Sequence, residues 1–268
     1  MMIKSATLRN GIRLPYREQG DPDGFPVVML HGITDSLHSF DPVLPCLPER
    51  IHAFALTQRG HGDAERPAAG YRTRDFAADV GAFMDAVGLD SAVIVGHSMG
   101  STNAARFAID YPRRVSGLVL VGMFASYRKN APLVDYVATT VSRLQDPIDV
   151  AIAREFQEST VAQPIPPDFL DIAVSESLKV PARIWRDAFA GLMEDDFTAQ
   201  LNAIKAPTLL LWGDRDAMVP RGDQYAALGA LPTATLSVYE GTGHAVHWEQ
   251  PERFARDLVA FVATSPTM

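Results

Sequence analysis

The sequence is short of cysteine, of basic charge and of long apolar segments. A single cysteine among 268 residues excludes an intramolecular disulfide and a cysteine-based metal site. No segment reaches the roughly 20 apolar residues that a membrane-spanning helix needs. The first residues also lack the apolar stretch of a signal peptide. These absences predict a cytoplasmic protein that has no membrane partner.

Basic side chains are outnumbered as well, with 24 Lys and Arg against 32 Asp and Glu and a net charge of −8. Because nucleic-acid binding depends on clustered basic residues that neutralise phosphates, no nucleic-acid partner is expected. What the chain does have is a hydrophobic fraction of 47% and a charged fraction of 21%, which are typical of globular proteins. Its length suits one large α/β domain with an insertion.

Apolar runs alternate with helix-like segments through most of the chain. Runs of the kind found in strands buried on both faces occur at 27–30, 52–56, 92–95, 115–121 and 208–212, with an edge strand at 236–239. Asn10-Gly11 between two strand-like segments indicates an N-terminal hairpin. Helical spacing of apolar residues follows at 74–87 and 99–111. The alternation predicts an α/β fold whose mostly parallel central sheet carries helices on both faces.

Residues 123–202 interrupt this alternation. They contain no convincing strand, several helix-like pieces, and prolines at positions 164, 166 and 167 that separate such pieces. One crossover helix between parallel strands needs far fewer residues. The sequence therefore predicts a core of residues 1–122 and 203–268 with an inserted helical cap at 123–202. The alternative is that these helices only cover the sheet.

The most specific chemical motif is a G-x-S-x-G pattern with Ser98 at its centre, from Gly96 to Gly100. It follows a predicted buried strand directly and precedes a predicted helix, which is the context the motif requires. A sharp strand-to-helix turn exposes the serine oxygen, and glycines two residues away on each side relieve the crowding of the backbone. The helix N-terminus favours negative charge that develops beside Ser98.

Four further motifs accompany the serine motif, each after a predicted strand. In chain order, the five are His31-Gly32, Arg59-Gly60-His61-Gly62, Gly96-His97-Ser98-Met99-Gly100, Leu211-Trp212-Gly213-Asp214-Arg215-Asp216 and Gly241-Thr242-Gly243-His244. With these motifs the chain resembles the α/β-hydrolase superfamily over nearly its whole length, in the serine esterase and lipase branch that carries a helical cap. The resemblance implies a catalytic triad in the chain order Ser, Asp, His.

The residues themselves support the same three roles. Ser98 needs a base within hydrogen-bond reach, and His244 lies in a glycine-rich loop at the edge of the sheet where α/β folds place their sites. His247 is its nearest competitor. A carboxylate must then orient the imidazole. Asp214 and Asp216 both follow the same strand, and the family's G-x-x-D pattern selects Asp216, leaving Asp214 as an exposed turn residue.

Two backbone N–H groups should stabilise the charge that develops on a substrate oxygen. One is that of Met99, directly after the nucleophile, and the resemblance points to Ile33 for the other. His31 and His61 are expected to brace their loops rather than take part in chemistry. Some relatives carry the triad acid after the preceding strand, but residues 122–125 contain no carboxylate.

The resemblance implies a serine hydrolase that cleaves carboxylic esters of small or medium apolar substrates through an acyl-enzyme. Its partner would be a small-molecule ester or lactone, and no metal or organic cofactor is expected. A lactonase, perhydrolase, thioesterase or C–C bond hydrolase could use the same triad, since specificity lies in the site and not in the fold. A non-hydrolytic ligand receptor of the same fold is another alternative.

Two positions separate the chain from particular branches of the superfamily. Dehalogenases and epoxide hydrolases of this fold use an aspartate nucleophile, whereas position 98 is serine. C–C hydrolases of the meta-cleavage type usually carry tryptophan after the catalytic histidine, where this chain has Ala245. Five residues are candidate walls of an apolar pocket, or simply core: Phe124, Trp185, Phe189, Met218 and Val246.

Overall fold

A computed structural model describes residues 2–124 and 126–264 of the chain. Met1, Ala125 and residues 265–268, which the sequence assigns to the two core segments and the cap, lie outside the described residues. Within the described ranges, no helix is both long enough and apolar enough to cross a membrane.

One sheet contains all the named strands of the described chain. They are β1 (Ile3–Thr7), β2 (Arg13–Gln19), β3 (Phe25–Leu30), β4 (Ile51–Leu56), β5 (Ala92–His97), β6 (Val115–Val121), β7 (Thr208–Gly213) and β8 (Ala234–Tyr239). Their order across the sheet is β1-β2-β4-β3-β5-β6-β7-β8. The β1–β2 and β2–β4 pairs are antiparallel and the other pairs are parallel. The predicted mostly parallel sheet and N-terminal hairpin are confirmed.

Helices lie on both faces of this sheet, as predicted. The helices are α1 (Thr73–Ala86), α2 (Met99–Asp110), α3 (Ala131–Thr139), α4 (Val150–Glu158), α5 (Pro167–Leu178), α6 (Ala182–Glu194), α7 (Arg221–Ala230), α8 (Val246–Glu249) and α9 (Pro251–Thr264). Helices α1, α2 and α7 contribute to one core cluster, and α9 contributes to the cluster on the opposite face.

The central strands are apolar throughout because each face of the sheet is covered. Along β3, Val28 and Leu30 pack into the cluster that contains α1 and α2, while Val27 and Met29 pack into the cluster that contains α9. Successive side chains of a strand point to opposite faces. A strand covered on both sides therefore reads as an unbroken apolar run rather than as an alternating one.

Helices α3 to α6 occupy the long connection between β6 and β7. Helix α6 buries Trp185 and Phe189 in a third apolar cluster, which also contains Ile33 and Met99 from the loops above the sheet. Helix α3 differs from α6 because none of its residues is fully buried. In the described part of this connection, the one β-type pairing is an isolated bridge between Ser126 and Asp196.

The strand order fixes where the functional loops meet. After β3 the chain adds β4 on one side, and it then returns to add β5 on the other side of β3. Strands β3 and β5 pair in parallel, with Leu30 opposite Gly96. In open α/β sheets, ligands bind at such a switch point, outside the carboxyl ends of the strands. The segments that begin at His31 and at Ser98 therefore lie side by side.

A buried ion pair joins the loop after β4 to α1. The guanidinium of Arg59 donates from Nε and Nη2 to the two carboxylate oxygens of Asp79, each at 2.6 Å. Its Nη1 donates to the carbonyl of Gly70 at 2.8 Å. Both charged side chains are less than a tenth exposed, so each charge depends on the other for the interactions that water would supply.

Replacing Asp79 by Asn should therefore lower the free energy of unfolding by about 3 kcal/mol or more, because it leaves the Arg59 charge buried without a counter-ion. Urea unfolding followed by circular dichroism would measure the change. The matched control is Asp171→Asn, which removes the carboxylate of an exposed pair with Arg154 and should leave the midpoint almost unchanged. Equal shifts in the two variants would contradict the role assigned to burial.

Candidate active site

Ser98 lies in a strained turn between β5 and α2. Its backbone angles are φ 51° and ψ −117°, a region that non-glycine residues rarely adopt. Its N–H donates to the carbonyl of Val121 at 2.9 Å, which ties the turn to the end of β6. Strain of this kind persists only where the surrounding structure enforces it, and it is concentrated at functional sites.

Close backbone contacts explain the two glycines of the serine motif. A Cβ at Gly96 would lie 2.2 Å from the carbonyl oxygen of Gly100, and a Cβ at Gly100 would lie 2.1 Å from the carbonyl oxygen of Leu30. Both distances are far shorter than any tolerable contact. The first turn of α2 thus packs directly on the end of β3, next to the loop that begins at His31.

His244 and Asp216 form a buried pair near this turn. The Nδ1 atom of His244 lies 2.8 Å from Oδ2 of Asp216, and both side chains are almost fully buried. The other carboxylate oxygen, Oδ1, accepts hydrogen bonds from the N–H groups of Met218 and Val219 at 2.8 and 2.9 Å. These bonds fix the carboxylate, which in turn orients the imidazole ring.

The two competing residues lie elsewhere. Asp214 is exposed and accepts a hydrogen bond from the N–H of Gly241 at 2.6 Å, so it stabilises the turn before the His244 loop. The Nε2 atom of His247 lies 3.1 Å from the hydroxyl of Ser39. Burial, together with the neighbouring His244, lowers the pKa of His247 to about 3, so its ring is neutral near pH 7.

The second nitrogen of His244 has an open hydrogen-bonding position. Within residues 2–124 and 126–264, Nε2 is buried and has no hydrogen-bond partner. The ring is held on its other side by Gly122, where a Cβ would lie 2.6 Å from Cε1 and 2.7 Å from Nδ1 of the imidazole. The φ of Gly122 is +54°, so this position favours glycine for two separate reasons.

The two residues expected to supply backbone N–H groups lie in the same apolar cluster. Ile33 follows β3 and Met99 is the first residue of α2, and both side chains are buried. The first N–H groups of a helix have no partner within the helix, so that of Met99 is free of intrahelical bonds. His31 accepts from the N–H of Gln58 at 2.9 Å, and Nδ1 of His61 lies 2.8 Å from the carbonyl of Arg59. Both histidines thus brace loops.

Comparison with known proteins identifies the family. The profile of the family described as "alpha/beta hydrolase fold" matches residues 26–251. The chain belongs to the α/β-hydrolase family. It is 30% identical to a non-heme chloroperoxidase of Streptomyces lividans, over 96% of this chain and 99% of that protein. It is 26% identical to the 2-(acetamidomethylene)succinate hydrolase of Mesorhizobium japonicum, over 94% and 92% of the two chains.

A solved structure agrees with this assignment. The esterase RhEst1 from Rhodococcus sp. ECU1013 superposes on this α/β hydrolase with a TM-score of 0.85 and 25% identity, over 99% of this chain and 100% of that one.

A buried polar network joins the loop after β3 to the helical connection, and the sequence analysis did not anticipate it. The side-chain nitrogen of Gln157 in α4 lies 2.9 Å from Asp35 Oδ1, 3.2 Å from the Thr34 hydroxyl and 2.6 Å from the Ser177 hydroxyl, and these three acceptors share its two N–H groups. Thr34 and Ser177 also contact each other at 3.0 Å. Thr34 has a φ of 69° directly after Ile33, so the network holds this loop in a strained conformation.

Asp35 belongs to a second buried group of titratable side chains near His244. Burial raises the pKa of Asp35 to about 7, against the hydrogen bonds from Gln157 and Ser39 and the neighbouring His244. The ring of His97 lies between those of His244 and His247, at centroid distances of 4.9 and 4.5 Å. Burial lowers the pKa of His97 well below its usual value, so this ring is neutral and adds no charge next to His244.

Tyr127 is another residue that the sequence analysis missed. Its hydroxyl lies 3.0 Å from the hydroxyl of Thr102, which in turn lies 3.4 Å from the backbone carbonyl of Ser98. Burial raises the pKa of Tyr127, which keeps its proton in place at neutral pH. Its ring stacks on Phe124 at 4.3 Å, and Phe124 meets His244 edge-on at 5.8 Å. The position of Tyr127 after a parallel strand was the available signal, since such loops converge on the site.

The candidate pocket walls have different environments. Trp185 and Phe189 are buried in the third cluster, Phe124 contacts His244, and Val246 packs with α9 on the opposite side of the sheet. Met218 lines a cavity beside α3 and α4. Among the residues that the structure describes, no group of three or more His, Cys, Asp or Glu side chains is arranged to hold a metal ion.

Replacing Gly122 by Ala should displace the imidazole of His244, because the new methyl group would overlap Cε1 and Nδ1. The proton between Nδ1 and Asp216 should then shift strongly or disappear in the proton NMR spectrum recorded in water. Gly88→Ala is the matched control: its φ is +77° but a Cβ there meets nothing within 4 Å. Both variants carry a backbone penalty of about 1–2 kcal/mol, so an unchanged resonance in Gly122→Ala would refute the contact.

Proposed function

We propose that this α/β hydrolase cleaves carboxylic esters through Ser98, His244 and Asp216. The observation that carries the proposal is the buried pair of His244 and Asp216, whose carboxylate contacts Nδ1 while Nε2 stays open. A carboxylate on Nδ1 selects the tautomer whose Nε2 can accept a proton. The strained serine turn at the switch point of the sheet supplies the nucleophile that such a base activates.

The reaction begins when the Ser98 oxygen attacks the carbonyl carbon of the ester. His244 takes the serine proton on Nε2, and the carbonyl oxygen becomes an oxyanion that the N–H groups of Ile33 and Met99 stabilise. Collapse of this intermediate breaks the bond to the alcohol, which takes the proton from His244. Asp216 stabilises the imidazolium that exists between these two proton transfers.

The second half of the reaction releases the acid. A water molecule gives a proton to His244 while its oxygen attacks the acyl carbon, and the bond to Ser98 then breaks as the proton returns to the serine oxygen. The carboxylate of Asp35 lies 3.9 Å from Nδ1 of His97, whose ring packs against that of His244 at 4.9 Å.

We further propose that residues 123–202 act as a cap over Ser98, with residues 1–122 and 203–268 as the core. Two observations support this assignment. Helix α6 shares an apolar cluster with Ile33 and Met99, and Gln157 in α4 is bonded to Thr34 and Asp35 in the loop after β3. An apolar cluster at this position suits small or medium apolar substrates.

The relative named a non-heme chloroperoxidase favours a second candidate, perhydrolysis. In that reaction hydrogen peroxide replaces water as the nucleophile that attacks the acyl-serine, and the product is a peracid. The same three side chains would serve, because only the attacking oxygen differs.

Replacing Ser98 or His244 by Ala should lower ester hydrolysis by roughly 10⁴–10⁶-fold, because the two act as one unit. A panel of p-nitrophenyl esters, lactones and thioesters would measure the activity, with hydrogen peroxide added to detect peracid. The double variant should be little worse than either single variant. Substantial ester hydrolysis by folded Ser98→Ala protein would refute the proposal, and faster turnover of lactones or thioesters would redirect it.

The assignment of the acid is tested by comparing Asp216→Asn with Asp214→Asn. Asparagine at 216 can still accept from Met218 and Val219 but no longer holds the imidazole with a negative charge, so kcat should fall by about 10⁴-fold. Asparagine at 214 keeps the oxygen that accepts from Gly241, so kcat should change little. Comparable losses in the two variants would show that Asp216 has no special role.

A further inference from the structure

The helical connection contains a cavity of about 300 Å³. The polar residues that line it carry hydroxyls, one side-chain amide and one carboxylate, and none of the described lining residues carries a positive charge. We infer that it is a subsite for an apolar arm of the substrate that ends in an ammonium group, held by the Tyr136 hydroxyl and the Glu155 carboxylate. This inference rests on the proposed hydrolase function and adds a substrate class to it.

The body of the cavity is apolar. Helix α3 supplies Pro132 and Leu133, α4 supplies Ile152 and Phe156, and the loop after β7 supplies Met218. Ligand pockets are typically lined by such side chains, with a few polar groups that fix orientation. An aliphatic arm would therefore lose water on entry, which favours its binding.

The wall of the cavity is bonded directly to the proposed catalytic residues. The N–H of Met218 donates to Oδ1 of Asp216 at 2.8 Å, and the side-chain amide of Asn130 donates to the carbonyl of Met218 at 2.6 Å. The N–H of Asn130 in turn donates to the carbonyl of Tyr127 at 3.1 Å. The Tyr127 hydroxyl contacts that of Thr102, which lies 3.4 Å from the carbonyl of Ser98. The cavity thus adjoins the acid and the tyrosine next to the nucleophile.

Two polar side chains of the lining, Tyr136 and Glu155, have no hydrogen-bond partner for their oxygen atoms within the described residues. The Tyr136 hydroxyl is buried and has no hydrogen-bond partner within the described residues. Among the described residues of the lining, Glu155 alone carries a charge. It is exposed at the mouth of the cavity, and its carboxylate makes no ion pair or hydrogen bond with the rest of the described chain. By contrast, the Ser159 hydroxyl donates to the carbonyl of Phe156 at 2.6 Å.

The chemistry of these two groups selects a cationic donor. Burial, reinforced by the nearby charge of Glu155, raises the pKa of Tyr136 to about 12, so the phenol stays neutral at pH 7. Its oxygen and the carboxylate of Glu155 both accept hydrogen bonds, and an ammonium group offers three N–H donors with a compensating charge. An anionic arm would instead meet Glu155 without a counter-ion.

Ring packing alone does not account for the tyrosine. The Tyr136 ring stacks on Phe156 at a centroid distance of 6.0 Å and meets Phe189 edge-on at 6.3 Å. Phenylalanine would make both contacts without burying an unpaired hydroxyl, and such a hydroxyl costs stability. Tyr136→Phe therefore separates a binding role of the hydroxyl from a structural role of the ring.

The first experiment measures binding, independently of any hydrolysis. NMR titrations of the full chain with n-hexylammonium, 1-hexanol and hexanoate give three dissociation constants. We expect n-hexylammonium to bind about tenfold more tightly than 1-hexanol, because hydrogen bonds to charged groups are the stronger ones. Hexanoate should bind more weakly than both. Similar affinities for the three ligands would overturn the inference.

Variants locate the binding site. Glu155→Gln should remove the advantage of n-hexylammonium over 1-hexanol, and Tyr136→Phe should weaken the binding of both. Glu158→Gln is the matched control, because Glu158 is likewise exposed on α4 but does not line the cavity, so all three constants should be unchanged. If Glu158→Gln weakened ammonium binding as much as Glu155→Gln, the effect would reflect net charge and the subsite would be refuted.

The second experiment asks whether the subsite serves the substrate. n-Hexylammonium should inhibit the hydrolysis of p-nitrophenyl hexanoate competitively, because the six-carbon acyl chain would occupy the same cavity, and Glu155→Gln should raise its inhibition constant about tenfold. Binding without competition would overturn the assignment to substrate. Absence of p-nitrophenyl hexanoate hydrolysis in the wild type would instead count against the proposed function, while the binding constants would still decide whether the ammonium site exists.

Discussion

The contact between the first turn of α2 and the end of β3 is the constraint on which the site depends. At Gly100 the two backbones approach so closely that a Cβ would lie 2.1 Å from the carbonyl oxygen of Leu30. This approach places the first turn of α2, which begins at Met99, against Leu30 and His31, the residues that lead into Ile33. The parallel pairing of β3 with β5 then fixes their height above the sheet. Other side chains are added around this frame.

Much of the fold could be predicted from the sequence, because its strands obey a simple rule. Strands covered on both faces are unbroken apolar runs, and the runs at 27–30 and 92–95 lie within β3 and β5. The partly exposed β8 was still recognisable as an edge strand. The packing of α3 to α6 was beyond prediction, because helical spacing identifies a buried face but not the surface that covers it.

The residues of the candidate site divide in the same way. Ser98, Asp216 and His244 each lie in a short local motif, and the structure brings Asp216 and His244 together. Gln157 lies in no motif, and its meaning comes from Asp35, 122 residues earlier in the chain. The tyrosine at 127 and the glycine at 122 likewise owe their roles to tertiary contacts. Residues that lie in short local motifs can be recognised from the sequence. Residues whose roles depend on contacts between distant segments can be recognised only in the folded structure.

The exposed character of α3 bears on how a ligand reaches the interior. Regions that bury few apolar contacts open at low free energy, whereas well-packed elements open only with the whole domain. Helix α3 has no fully buried residue, while α6 buries most of one face, including Trp185 and Phe189. Displacing α3 therefore sacrifices less packing than displacing α6. A ligand should therefore enter and leave the interior through displacement of α3, while α6 stays packed in place.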